Sequence, residues 1–321
     1  MKKFNIFIIL FLILNISVYS QGGGDTNVSL FGSISPNSMV DEDHFSLSSH
    51  VRVDSGKNDV FSISPFICLD TNINENLNFQ LWLSSKYASG DLTNGFSVGD
   101  VSFIGSYLFG DNNRSEIQQF LDFGLIISLK NGRGLKEDVD ESYVTYPMEY
   151  QSSLGTLDTY LAYTLKYNAF NLSIGYQQPL ISKNQNNFFP GYENFDLGSI
   201  NPNYPPSNEM KRSGDAFSRV GYTFKLDNDD LSLNFGSTLF YRLKNDEYFV
   251  LYPNTSYPNK GYNEVEGTNG LAINGVFQLN YKIYEEVVIS LYAGVPLIER
   301  EEYIDGLMRS YFITPGFKWS F

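Results

Sequence analysis

Three features of this sequence predict an all-β fold, a transmembrane antiparallel up-and-down β-barrel of about twelve strands with short periplasmic turns and long extracellular loops. The first is residues 311–321. Tyr311, Ile313, Pro315, Phe317, Trp319 and Phe321 share one face at a period of two, with Thr314, Gly316, Lys318 and Ser320 on the other. A chain end usually frays in water, so an aromatic stripe there is out of place on a soluble domain. A strand with lipid on one side and a wet lumen on the other requires it. The second feature is the recurrence of such segments along the chain, and the third is the sorting of the connections between them by length.

Period-two segments fall at about 44–54, 58–69, 76–86, 98–109, 118–130, 156–167, 169–179, 216–227, 230–243, 269–283, 286–295 and 307–321. The ninth is the clearest: Leu231, Leu233, Phe235, Leu239, Tyr241 and Leu243 alternate with Ser232, Asn234, Gly236, Thr238 and Arg242. In the seventh, Phe170, Leu172, Ile174 and Tyr176 oppose Asn171, Ser173, Gly175 and Gln177. In the fifth, Leu121, Phe123, Leu125, Ile127 and Leu129 oppose Asp122, Gly124, Ser128 and Lys130.

A soluble sandwich also alternates, so the connections decide. Every second one is short: 70–75, 110–117, the reversal at Asn168, Asn228-Asp229 and Tyr284-Glu285. Those between are mostly longer: a tight turn at 55–57, then 87–97, 131–155, 180–215, 244–268 and 296–306. A sandwich has no reason to sort loops by parity, whereas a barrel in an outer membrane does. With an even strand count both barrel ends fall on the short-turn, periplasmic side. Pairing the first strand with the last leaves no open edge in lipid.

The start of the chain fits export. Lys2 and Lys3 precede the apolar run Ile6–Ile16, and Val18-Tyr19-Ser20 offers a cleavage site before Gln21. That run is shorter than the roughly 20 residues of a spanning helix. The expected organisation is a signal peptide at 1–20, a periplasmic segment at 21–43 and the barrel at 44–321. Within the periplasmic segment, 28–34 is either an extra strand or a plug. No Cys follows the cleavage site closely enough for a lipid anchor, and Cys68, the only one, has no internal disulfide partner.

Composition narrows the partners. Aromatics reach 16%, with 23 Tyr and 26 Phe, which suits strands and a lipid-facing belt. A net charge of −14 opposes nucleic-acid binding, which needs a basic surface. The expected partners are outer-membrane lipid and lipopolysaccharide, the barrel-assembly machinery during biogenesis, and a small solute. The final Phe resembles the C-terminal signal that this machinery reads. The barrel is expected to be a monomer of the bacterial outer membrane.

Strand phase places Arg52, Lys86, Lys130, Lys166, Arg219, Lys225, Arg242, Lys282 and Lys318 on polar faces, against Asp54, Asp122 and Asp158. Two readings are open: strand-end cations that snorkel to water or lipid phosphate, or a lumen field favouring anions. Loop aromatics Phe188, Phe189, Tyr192, Tyr204, Tyr252 and Tyr257, interleaved with Pro, either fold inward as a constriction or pack on themselves as an extracellular cap.

Other motifs carry less. His50 stands on the polar face of the first strand, and a hydrolase would require a serine hydroxyl beside it. No serine has a distinctive setting, so no catalytic residue is expected. Asp41-Glu42-Asp43-His44 reads as a solvated turn, and Leu226–Leu231 lacks the Gly and Glu of a calcium loop. Asn131-Gly-Arg-Gly134 lacks the Lys-Ser/Thr of a phosphate loop. Neither metal nor cofactor is expected.

Val98-Gly-Asp-Val-Ser102, Phe123–Leu129 before a Gly-rich loop, Leu154–Asp158, Asn171–Tyr176, Gly214–Phe217 and Val287–Pro296 follow one another along the chain. Together they resemble the outer-membrane meta-pathway phenol-degradation protein family, grouped with transporters. Lys130-Asn131-Gly132 stands where that family has Pro-Thr-Gly. The resemblance implies a channel or transporter for small aromatic or apolar compounds. The expected function is passive or facilitated uptake of small solutes, aromatic or anionic. The alternative is a surface-binding or structural barrel with a filled lumen, and a hydrolase comes third.

Overall fold

A computed structural model describes residues 45–109, 116–130, 145–189, 204–226, 230–251, 258–306 and 309–321. The expected signal peptide at 1–20 and the expected periplasmic segment at 21–43, with 28–34 and His44, lie outside them. Twelve strands close one antiparallel barrel: β1 (Phe45–Gly56), β2 (Phe61–Asn74), β3 (Leu77–Ser89), β4 (Asn94–Phe109), β5 (Ile117–Ser128), β6 (Leu157–Tyr167), β7 (Phe170–Ile181), β8 (Asp215–Leu226), β9 (Leu231–Arg242), β12 (Gly270–Tyr284), β13 (Val287–Ile298) and β14 (Arg309–Ser320). Each of the expected strands is present, in sequential up-and-down order, with β1 closing on β14. The strands run from 11 residues in β6 to 16 in β4. A tilted strand needs about 9–11 residues to cross a bilayer, so the wall is tall enough to span one.

Alternation decides which side each residue faces, because successive Cβ atoms point to opposite sides of a strand. In β14 the outward Tyr311, Phe317 and Trp319 are exposed while Phe312 and Thr314 are buried in the lumen. The outer wall carries exposed Leu, Ile, Phe and Tyr on all twelve strands, which suits a lipid-facing surface. Ring closure is locked at the short-turn rim. The Phe321 N–H donates to the Phe45 carbonyl at 2.9 Å, and the Phe321 ring meets Phe45 at 5.0 Å and Trp319 at 4.9 Å.

Loop parity holds with two adjustments. On the short-turn rim, β6 and β7 join through Asn168 and Ala169, and Asn168 adopts φ 51°, a left-handed conformation that Asn tolerates. The 87–97 connection shrinks to 90–93, because β3 and β4 continue pairing to Ser89↔Asn94. Part of the 244–268 loop is a second hairpin, β10 (Glu247–Val250) paired with β11 (Gly261–Glu264). Its strands have only four residues each, too few to show a period-two pattern in the sequence.

Candidate functional site: the lumen

The lumen has three levels. At the short-turn end, the side formed by β7–β9 and β12–β13 is wet. Inward residues Asn171, Ser173, Thr223, Asn234, Gln278 and Asn280 are half-exposed there, and Lys225 and Lys282 are exposed. The opposite side is dry: Asn78, Gln80, Ser106, Leu108, Phe120 and Thr164 are buried. Asn78 Nδ2 donates to Asp70 at 2.6 Å and to Asn72 at 2.9 Å, and Asp122 accepts from Ser106 and Thr164, each at 2.6 Å. Buried polar side chains demand such partners.

Midway lies a belt of inward apolar side chains, including Phe66, Trp82, Tyr160, Phe217, Phe240, Tyr292 and Phe312. Glycine on the neighbouring strand lets these rings lie against the wall. A Cβ on Gly124 would stand 2.0 Å from Tyr160, and one on Gly294 would stand 2.4 Å from Phe312. Two cations belong to this level. The Arg52 guanidinium lies 4.8 Å from the Phe66 ring centre and 5.7 Å from that of Phe312, within cation–π range. Arg219 is likewise buried.

At the long-loop end the connections fold inward. Tyr146, Tyr150, Phe188 and Tyr204 pack against Val60 and the inward Ala88 of β3, while Phe189 meets Tyr248 and Val250. Burying loops requires partners for their peptide groups. The Asn186 carboxamide donates to the Tyr146 carbonyl at 3.0 Å and accepts from the Phe188 N–H at 2.8 Å and the Ser207 hydroxyl at 3.0 Å. Lys86 Nζ, pointing inward from β3, donates to the Glu149 and Gln151 carbonyls at 2.6 and 3.2 Å.

A charge lattice pins this plug to the wall. Arg212 reaches Asp158 at 2.5 Å and Asp305 at 3.3 Å, and also pairs with Asp215. Arg242 reaches Asp215 at 2.9 Å, Asp246 at 2.5 Å and Asp305 at 2.7 Å. Arg300 adds a third cation, its Nη1 donating to the Thr268 carbonyl at 3.0 Å. Three arginines thus face four aspartates. Burial pushes the Asp246 carboxyl up to about 6, with Asp305 adding to the rise and Arg242 opposing it. Asp305 is equally buried, yet Arg242, Arg300 and Arg212 hold its carboxyl below the usual carboxylate range.

The candidate residues therefore separate. Arg52, Lys86 and Arg219 face the lumen and are buried. Lys166 is inward, 5.0 Å from the Phe120 ring, and Lys282 is exposed near the wet end. Lys130 lies beyond β5, which ends at Ser128, and is exposed. Arg242 is buried and pairs with three aspartates. Phe188, Phe189 and Tyr204 are buried at the long-loop end. Tyr192, Tyr252 and Tyr257 lie outside the described residues. His50 stacks on Trp82 at 5.8 Å, and no described hydrogen bond joins it to a serine. No group of three metal-ligating side chains occurs among the described residues.

The mid-lumen aromatics are absent from the sequence-derived candidates although strand phase marks them. Phe240 stands in register with Asn234, Thr238 and Arg242, on the inward face of β9. An aromatic in the polar phase of a barrel strand is the signal.

No protein-family model matches the chain, and no curated protein is significantly similar to it. The phenol-degradation resemblance thus rests on its short motifs alone. Among solved structures, an outer-membrane channel from Pseudomonas putida F1 is similar at 12% identity with a TM-score of 0.55, covering 89% of this chain and 99% of that one. The NanC porin aligns at 10% identity and a TM-score of 0.48, over 86% of this chain and 98% of that one. The translocator domain of the autotransporter NalP from Neisseria meningitidis aligns at 8% and 0.47, over 92% and 95%. The similarity to the first is one of fold: this chain is a closed, twelve-stranded antiparallel barrel of the kind found in outer-membrane channels.

Proposed function

We propose that this chain is a bacterial outer-membrane channel for small solutes, exported with a cleaved signal peptide at 1–20 and acting as a monomer without catalysis. The observation that carries the reading is the lumen's asymmetry. A wet, polar side at the short-turn end leads to an aromatic belt and then to loops held by ion pairs. A purely structural barrel has no need of a hydrated half. Loops tied by side chains, and not by barrel strand pairing, can be released, so the plugged arrangement is the closed state of a gate. With the short turns periplasmic, the gate is extracellular.

Arg52, Arg219 and Lys86 give the inner wall a cationic bias, which supports anions as the favoured solutes. The aromatic belt supports small aromatic compounds as a second class, in keeping with the phenol-degradation resemblance. Planar-bilayer recording tests the channel. Wild-type protein gives salt-dependent currents, and Arg242→Met gives larger ones. Folded protein that is silent in both forms would overturn the proposal.

A second reading, a surface-binding barrel with a filled lumen, is favoured by one observation. Tyr146, Phe188, Phe189 and Met210 are wholly buried at the long-loop end. Silent recordings from both forms would favour it.

A further inference from the structure

The cavity beneath the plug carries a donor pair that the fold does not use. Arg52 is 2% exposed, and its Nε and Nη2 have no hydrogen-bond partner among the described residues. These two nitrogens form one edge of the guanidinium. Their N–H bonds point the same way, which is the fork that accepts both oxygens of a carboxylate side-on. Phe66 and Phe312 cover the guanidinium at 4.8 and 5.7 Å, so a ligand must approach in its plane.

The surroundings suit an anion. Arg52 lines a cavity of about 50 Å³ together with Ser64, Ser84, Lys86, Asp100 and Arg309. Met148, Gln151, Ser153 and Leu154 of the plug also line it, as does Asp305. Two of the nearby acids are engaged in part, each through one carboxylate oxygen. Asp54, on the same face of β1, accepts from Ser62 at 2.6 Å and lies 3.3 Å from Arg309. Asp305 is held by Arg212 and Arg242. Leaving a buried guanidinium edge unmatched costs more than leaving a neutral donor so, and a ligand that fills it recovers that cost.

We infer that this cavity is a binding site for a small monocarboxylate, its two oxygens received by Nε and Nη2 of Arg52 beneath the plug. A carboxylate of one or two carbons fits a cavity of this volume. The inference deepens the channel reading and rests on it for its role, which is to hold permeating anions at the narrow level of the lumen.

Calorimetry of the full chain folded in detergent micelles, titrated with sodium acetate at constant ionic strength, tests the site. It reads binding without current, so a silent channel and a missing site are separate results. Wild-type protein should bind acetate saturably at one site. Planar nitrate should compete, and spherical chloride should not. Arg52→Lys keeps the charge but lacks the fork, and should weaken acetate about tenfold, equivalent to about 1.4 kcal/mol. Lys260→Arg, on the exposed surface of a loop, should leave it unchanged. Should Arg52→Lys fail to fold, Ser64→Leu fills the cavity from β2 and should abolish binding. No saturable heat in wild-type protein, equal affinity in Arg52→Lys or in Ser64→Leu, or chloride competing as well as nitrate would each overturn the inference.

Discussion

Arg242 at the end of β9 and Asp305 in the β13–β14 loop meet at 2.7 Å with both side chains fully buried. The same guanidinium also binds Asp215 on β8 and Asp246 in the loop that follows β9. One side chain thereby ties two barrel strands to two loops, a latch that Arg212 shares through Asp158, Asp215 and Asp305.

Removing that latch is the sharpest test of gating. Arg242→Met leaves Asp215, Asp246 and Asp305 with less compensation in a dry site, and breaking a buried pair costs about 3–5 kcal/mol. The penalty falls on the plugged state, since the barrel wall keeps its backbone ladder. We expect larger single-channel currents and faster protease cleavage within the 243–306 loops, with the barrel still folded on gels. Unchanged currents and unchanged cleavage would remove Arg242 from the gate.

The lattice also sets a pH dependence. The Asp246 pKa rises from 3.8 to about 6 in the folded state. Between about pH 4 and 6 the plugged state therefore holds a proton that the unfolded chain has released, and plug stability falls as pH rises through that window. Acidifying from pH 7 to 5 should tighten the plug and lower conductance. Asp246→Asn should conduct at pH 7 as wild type does at pH 5, with a flat profile between. A variant that keeps the wild-type pH profile would exclude Asp246 as its source.

Lys86 makes an independent attachment. Lys86→Met removes the donor to the Glu149 and Gln151 carbonyls, leaving two peptide oxygens short of a partner at about 1–3 kcal/mol each. Hydrogen exchange of residues 148–154 should accelerate while that of β3 stays slow. Equal protection in both proteins would mean that the segment is held by packing alone.

The aromatic belt should set the effective bore. Phe240 is 1% exposed and packs on Phe217 at 6.4 Å between ring centres. Phe240→Ala should cost about 3–5 kcal/mol through the cavity it leaves, and admit larger solutes once the plug is opened. Liposome-swelling rates in the Arg242→Met background measure this. Rates that do not move with Phe240 would place the constriction elsewhere.

The ring-closing contact predicts an assembly defect. Phe321→Ala removes the rings' contacts with Phe45 and Trp319 at the seam of β1 and β14. The fraction of heat-modifiable, folded protein in membranes should fall, while protein already folded remains stable. A wild-type yield would disconnect the terminal ring from assembly.

The sequence by itself determined the wall. Side chains in a strand alternate strictly, and lipid and water on opposite sides make that alternation visible in Leu231–Leu243 or Tyr311–Phe321. The number of alternating segments set the strand count, and loop parity then set the closed barrel and the rim on which Phe321 lies. Phase also placed Arg52, Arg219 and Lys86 inside, because a single strand's period decides facing. Only the tertiary structure decided what those inward residues do. Lys130 falls outside because β5 stops two residues earlier, and Arg242 becomes a latch because Asp305, 63 residues away, arrives beside it. Loop segments 145–154, 182–189, 204–212 and 299–306 carry no period, and their burial depends on Asn186, Lys86 and the arginines satisfying peptide and carboxylate groups across the lumen. Such contacts join residues distant in sequence, so no local pattern encodes them. The free fork of Arg52 is the extreme case. Its residue is plain in the sequence, but its unused edge exists only once the rings of Phe66 and Phe312 have closed on its faces.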